Sequence, residues 1–371
     1  MLRLMKKLLF LLIPFLLCGC THDMNREEID EINLVLVLGI DYSDGEYTLS
    51  ALYSTGAGAD PEKGAGSGAE DVAKGKGKTP YEALENLKLR DKKAITLAQT
   101  GSFLIGDEAG KQGLDRSLDF LSRDETIKME ALIYIIKDRK ASEFIEEGIE
   151  NKQSIHEDLE AIEQKQQEIL TRNDNTVVNI LNDMKQTYSS VLIPYLISEK
   201  TGFLIEGYAV FDELKLKDYL DEDTSNGVNF IKNIMRSYPI YLEDQVGLLV
   251  SYTHTKLNAD LKNKKITVTI KVNFETMIKE VITEENIFTS EELIKLTDAQ
   301  NNYIKAILEK PVNYSIAKGL DILHLARLVE NQNFNDWKGM EGDWSEKISD
   351  IKYEFKLKSR ITKSFLLGSE R

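Results

Sequence analysis

The chain alternates between runs that are apolar throughout, runs with a two-residue period and runs with a helical period. INLVLVLGIDYS opens with a continuous apolar stretch, the pattern of a strand buried on both faces, and Asp44-Gly45 supplies a turn. Tyr47, Leu49, Ala51 and Tyr53 then alternate with mostly polar residues, so the segment predicts a β-hairpin. Residues 56–78, rich in glycine, alanine and charge, carry no period and read as a mobile loop. A helix with a clear start follows: Thr79 as N-cap, Pro80 at the first helical position and Glu82 completing a capping box.

Further along, residues 101–106, 129–138, 190–197 and 203–211 read as strands, and 111–121, 142–170 and 176–185 as helices. Within 142–170, Ile155, Leu159, Ile162, Gln166 and Ile169 form one stripe. That spacing suits a helix on its own core better than a partner-binding face. Short helices are predicted at 215–221 and 228–235, and long strands at 246–257 and 265–274. Ser290 is an N-cap candidate for a helix at 291–308. A second helix at 315–331 and a long alternating strand at 351–367 close the chain. Long helices beside long alternating strands predict a multi-domain α+β fold with mixed or antiparallel sheets. The blocks divide into an N-terminal α/β domain at 20–198, a middle domain at 199–280 and a C-terminal α/β domain at 281–371.

The first nineteen residues stand apart. Arg3, Lys6 and Lys7 precede an apolar run of ten residues, too short to cross a bilayer, which needs about 20. Leu17-Cys18-Gly19-Cys20 then resembles a bacterial lipobox, in which Cys20 becomes the first residue of the mature chain. Its thiol would carry the diacylglyceryl thioether, with palmitate among the acyl chains. Both cysteines of the sequence lie here, so the mature chain would hold no disulfide, no cysteine–zinc site and no thiol nucleophile.

Removing the leader takes away three basic residues and moves the formal charge from −15 to −18. Taken as a whole, so acidic a body is repelled by nucleic acid and by anionic lipid. The mature chain is long enough for two or three domains of about 100–200 residues.

Candidate chemistry is sparse. The four histidines, His22, His156, His254 and His324, are scattered, with no HExxH, no pair at helical spacing and no GxSxG. No catalytic, metal-ligating or cofactor-binding residue is assigned; Cys20, for lipid attachment, is the one candidate site residue. Gly77-Lys78-Thr79 mimics the end of a phosphate-binding loop, but the glycine required five residues earlier is Val72, and no strand is predicted to lead in. Gly64-Ala65-Gly66 is an equally partial dinucleotide fingerprint. Asp221-Glu222-Asp223 lacks the alternation of a calcium loop and reads as a solvated turn. Trp337 and Trp344, each following an aspartate, could line a binding surface, although packing against the terminal strand is the simpler expectation.

Several segments, in order, carry a resemblance. REEIDEINLVLVLGID follows the lipobox; then come KGKTPYEALENL, FLIGDEAGKQGLDRSLDFLSRD, GFLIEGYAVFDELKLKDYLDEDTSNGVNFIKN and a C-terminal stretch holding both tryptophans. Together they resemble the C-subunit lipoproteins of bacterial spore germinant receptors, the Ger(x)C family, over nearly all of the mature chain. The sequence departs from the family pattern at LAQTGSFLIG and at Ile322-Leu323-His324. The resemblance implies a three-domain α/β fold and a non-enzymatic subunit at the inner spore membrane. It also implies partnership with a large A subunit and a transporter-like B subunit in nutrient response. Two other classes compete: a solute-binding lipoprotein, which needs two similar lobes about a hinge, and a membrane-anchored hydrolase.

Overall fold

The computed structural model describes residues 31–54, 70–199, 202–243, 245–262, 265–282 and 287–362. Two sheets organise them. The first has nine strands: β1 (Ile32–Ser43), β2 (Glu46–Ser54), β3 (Glu70–Gly77), β4 (Ala94–Thr96), β5 (Ser102–Gly106), β6 (Leu132–Ile136), β7 (Val191–Glu199), β8 (Gly202–Asp212) and β9 (Lys215–Tyr219). Their order is β3-β2-β1-β5-β6-β7-β8-β9, with the short β4 beside the start of β1. The four strands β1, β5, β6 and β7 are parallel, and antiparallel strands extend both edges.

The hairpin β1–β2 forms as its pattern predicts, and the continuous apolar run is needed because both faces of β1 are covered. On one face Leu38 and Ile40 pack with α1 (Pro80–Arg90), α2 (Asp107–Gln112), α3 (Leu114–Leu118) and α6 (Val177–Asp183). On the other, Val37 packs with α4 (Ala141–Glu150) and α5 (Ile155–Ile169).

Three expectations for this half are corrected. The loop read at 56–78 ends in strand β3, paired with β2 from Tyr47↔Gly77 to Ser54↔Glu70; residues 56–69 lie outside the described residues. The glycines that suggested a loop are there for close approach. A Cβ on Gly75 would sit 2.2 Å from the carbonyl of Ala83, and one on Gly77 would sit 2.5 Å from its amide, so α1 rests directly on backbone. Gly75→Ala is expected to cost about 2 kcal/mol by overpacking; a urea midpoint equal to the parent's would contradict this. The helix read at 111–121 is broken at Gly113 (φ 138°), whose turn lets the Leu114 amide donate to Leu214 O at 2.8 Å. The helix read at 215–221 is strand β9 instead. Glu213 and Leu214, at φ 47° and 62°, turn the chain back, and the alternation of buried Leu216 with exposed lysines was the overlooked strand signal.

The second sheet runs β10 (Tyr238–Leu242), β11 (Val246–Lys262), β12 (Lys265–Val281) and β13 (Lys352–Thr362), with β13 parallel to β12. The helix read at 228–235 is α7 (Glu222–Ile231), which begins on Asp221, so the acidic run read as a solvated turn is its N-cap and first turn. Beyond the reach of β10, the edge of β11 is met by side chains: Asn233 accepts from the Thr255 amide and Gln332 from the Ala259 amide, each at 2.7 Å.

The expected helix pair 291–308 and 315–331 is replaced by one long helix, α8 (Ser290–Lys318), capped by Thr289 rather than Ser290, and a shorter α9 (Leu325–Gln332). Pro311 lies inside α8, and the carbonyl it leaves without its helical donor, that of Ile307, faces Gly227 of α7. A Cβ on Gly227 would stand 2.4 Å from that oxygen, so only glycine allows the contact. Gln300 pins the same helix to the sheet, accepting from Thr276 Oγ1 and donating to Ser359 Oγ, both at 2.7 Å.

Short helices α10 (Phe334–Trp337) and α11 (Trp344–Ser349) lead to β13. Strands β8 and β9 complete the first sheet, while 238–281 and 352–362 share the second. One apolar cluster joins Leu192, Tyr208 and Val210 of the first sheet to Val268, Ile270 and Leu308 of the second half.

Candidate functional site

Strands β1, β5 and β6 end side by side. The connections leaving β5 and β6 start helices α2 and α4, which cross opposite faces of the sheet. A crevice opens between such diverging connections, at the carboxyl ends of the strands. Here its volume is about 240 Å³, and Asp41, Asp107, Asp138, Arg139, Lys140 and Glu143 line it.

Each wall has a structural reason. Asp41 ends the apolar run of β1 and accepts from the amides of Ala141 (2.7 Å) and Ser142 (2.9 Å). Lys140, at the N-cap of α4, provides no side-chain cap, so Asp41 caps that helix from another strand. Burial pushes its carboxyl above the ordinary range, and the two amides oppose this only in part. Asp107 accepts from Tyr219 Oη at 2.5 Å and pairs with Lys111 at 2.5 Å. Tyr219 stacks edge-on against Tyr195, whose hydroxyl donates to Glu206 at 2.8 Å, and Lys137 lies over both rings. Burial, then the carboxylate partner, holds each tyrosine well above its ordinary pKa. Asp41 and Asp107 are thus committed to the fold. The crevice offers polar groups of both signs and has no histidine in its lining.

A second polar cluster joins the two halves. The buried carboxylate of Asp321 accepts from the amides of Leu325 (2.8 Å) and Ala326 (2.7 Å), and from Trp344 Nε1 (3.2 Å). Its own carbonyl accepts from the Ser190 amide at 3.0 Å, at the threshold of β7. His324, left-handed at φ 55° and ψ 40°, places Nε2 3.2 Å from Ser190 O. Burial pushes this imidazole down to about 4, with Lys232 adding and Asp321 opposing. Nearby, burial raises Asp174, but Lys232 (2.9 Å) and Arg172 (2.8 Å) outweigh it and leave the carboxyl below its ordinary range.

The residues singled out from the sequence are placed as follows. Cys20 and His22 lie outside the described residues. His156 pairs with Glu160 on α5, His254 is exposed on β11 and His324 is in the joint, so these three are not brought together. Among the described residues no three of His, Cys, Asp or Glu are grouped to hold a metal ion.

A strand, β3, does lead into Gly77-Lys78-Thr79. Yet Glu82 already accepts from the Lys78 amide at 2.7 Å, and Thr79 Oγ1 accepts from the Glu82 amide, so a carboxylate sits where a phosphate would. In α5 the stripe faces inward at Ile155 and Leu159 and surfaces at Ile169. The tryptophans pack edge to face at 5.1 Å and are both buried. Asp41 and Asp321 were not picked out as site residues; the available signal was an aspartate directly abutting apolar residues, Gly39-Ile40-Asp41 and Asp321-Ile322-Leu323.

Comparison with known proteins agrees with this architecture. The chain matches the family model described as spore germination protein, N-terminal domain, over residues 25–198. Over residues 206–364 it matches the model described as spore germination B3/GerAC like, C-terminal. It is 22% identical over 293 residues to the putative spore germination protein YfkR of Bacillus subtilis (strain 168), covering 74% of each chain. A solved structure titled as the crystal structure of the GerBC protein superposes with a TM-score of 0.57 at 14% identity, over 87% of this chain and 96% of that one. With two successive family models spanning most of its length, the chain belongs to the Ger(x)C family of spore germination proteins.

Proposed function

We propose that this chain is the membrane-tethered lipoprotein subunit of a nutrient germinant receptor. It is held by lipid on Cys20 at the outer face of the cytoplasmic membrane, which is the inner membrane of the spore. It acts without catalysis, through assembly with A-type and transporter-like B-type subunits. The observation that carries this reading is the succession of the two family models over 25–198 and 206–364. Leu17-Cys18-Gly19-Cys20 supports the tether, and no described helix is long and apolar enough to cross a membrane. The division 20–198, 199–280 and 281–371 is retained as a proposal about folding units.

The solute-binding alternative needs two alike lobes about a hinge, whereas the two sheets here differ in strand number and order and share an apolar cluster.

Intact mass of the protein from its native membrane, beside a Cys20→Ala variant, tests the tether. A diacylglyceryl mass on a chain beginning at Cys20, absent from the variant, is expected. An unlipidated chain cleaved elsewhere would overturn it. Capture of A-type and B-type receptor subunits with the lipidated chain tests assembly.

A further inference from the structure

The net charge of −15 describes the whole chain and hides how the second sheet sorts its charges. Along β12 the even-numbered residues from Ile266 to Ile278 are buried against the core, and the odd-numbered ones point to the opposite face. The register then aligns that open face across strands. Lys256 of β11 pairs with Lys271 of β12, and Lys271 pairs with Lys356 of β13. Three lysines therefore stand in one row, strand to strand at about 4.8 Å. The next row is His254, Asn273 and Lys358. None of these four lysines has an ion pair among the described residues, although Arg360 and Lys352 on the same face each meet a glutamate.

Like charges directly opposite in a sheet are destabilising, so stability alone does not account for the row. It suits an external anion. Its shape favours an extended surface over a small ligand: the cations lie across three strands of a sheet face, without a cavity. Tyr252 and Tyr241, both exposed on that face, are residues suited to a bilayer interface.

We infer that the open face of the β11–β12–β13 sheet, centred on Lys256, Lys271 and Lys356, docks on an anionic phospholipid surface. This orients the body with its basic face toward the membrane and the acidic remainder away from it. The choice of a bilayer rests on the tether proposed above, but the binding itself requires no acylation, so the two can fail separately.

The test uses residues 21–371, which include every described element, and vesicles of phosphatidylcholine with or without one quarter phosphatidylglycerol. Binding to the anionic vesicles, falling with added salt and absent with pure phosphatidylcholine, is expected. Each basic residue at such a surface is worth about fivefold in partitioning. The variant K256Q/K271Q/K356Q should therefore bind roughly 100-fold more weakly while melting no lower than the parent. Undiminished binding by that folded variant would overturn the inference. So would failure of the parent to bind at low salt, or capture of polyglutamate in place of vesicles, which would mark the face as a site for an acidic protein.

Discussion

Replacing Asp321 by alanine should cost about 4 kcal/mol of stability. The carboxylate accepts from the first two amides of α9, from the indole of Trp344 and from Ser189 Oγ, and the deletion leaves the two amides and the indole buried without acceptors. An orphaned buried donor costs roughly 1–3 kcal/mol, and partial hydration of the new cavity brings the sum toward the lower end. The N-cap position gives no relief, because His324 makes no side-chain cap bond to the helix. Asp321→Asn keeps one acceptor oxygen but aims an amide group at a donor, so it should fall between, near 2 kcal/mol. Urea unfolding of the three proteins checks the ranking, and hydrogen exchange at Leu325 and Ala326 locates it. A loss below 1 kcal/mol for the alanine variant would mean that the carboxylate is not a principal support of the start of α9.

His324 should make the fold acid-sensitive in a defined window. Its imidazole is pushed down to about 4 in the fold, against an ordinary value of 6.5 in the unfolded chain. Between those values the unfolded chain binds the proton and the fold does not. This stability is complete above pH 6.5 and is lost as pH falls toward 4, by about 2–3 kcal/mol.

The charged groups facing the ring are Lys232, Asp321 and Asp174. Asp321 works in the opposite sense. Burial raises its carboxyl, so protonation favours the fold as pH falls through the native value toward 3.8. Asp41 and Asp183, also raised by burial, act likewise. The informative quantity is therefore the difference between the parent and His324→Asn. Asparagine tolerates the left-handed backbone, but its amide stops short of the Nε2 position, so the contact with Ser190 O is lost at every pH. The variant should be less stable than the parent near pH 7 by about 1 kcal/mol for the missing bond, and should lose less stability between pH 6.5 and 4. Parallel curves for the two proteins would assign the acid sensitivity elsewhere.

What was legible in the sequence is local. Thr79 reads as an N-cap from the sequence because its bond spans three residues; Ser154, Thr176 and Asp221 cap by the same short bond, though only the structure identified them. The hairpin at Asp44-Gly45 and the long strands of the second sheet were equally readable, since alternation reports directly on a half-buried strand. Two misreadings arise from contacts between distant segments, whereas the one at 215–221 passed over a local alternation. Gly75 and Gly77 are loop residues by composition but strand residues because α1 rests on them, and Pro311 sits inside a helix whose freed carbonyl meets Gly227 of α7.

The sequence by itself determined the family and most of the strands, because each is written in short contiguous stretches. Only the tertiary structure decided that Asp41 caps a helix 100 residues away, that Asp321 and His324 meet Ser189 and Ser190 across the two halves, and that three lysines stand in a row. Each of those depends on which distant segments meet and in what register. Net charge is a sum over residues and carries no positions, so it reported an acidic body while the sheet register assembled a basic face.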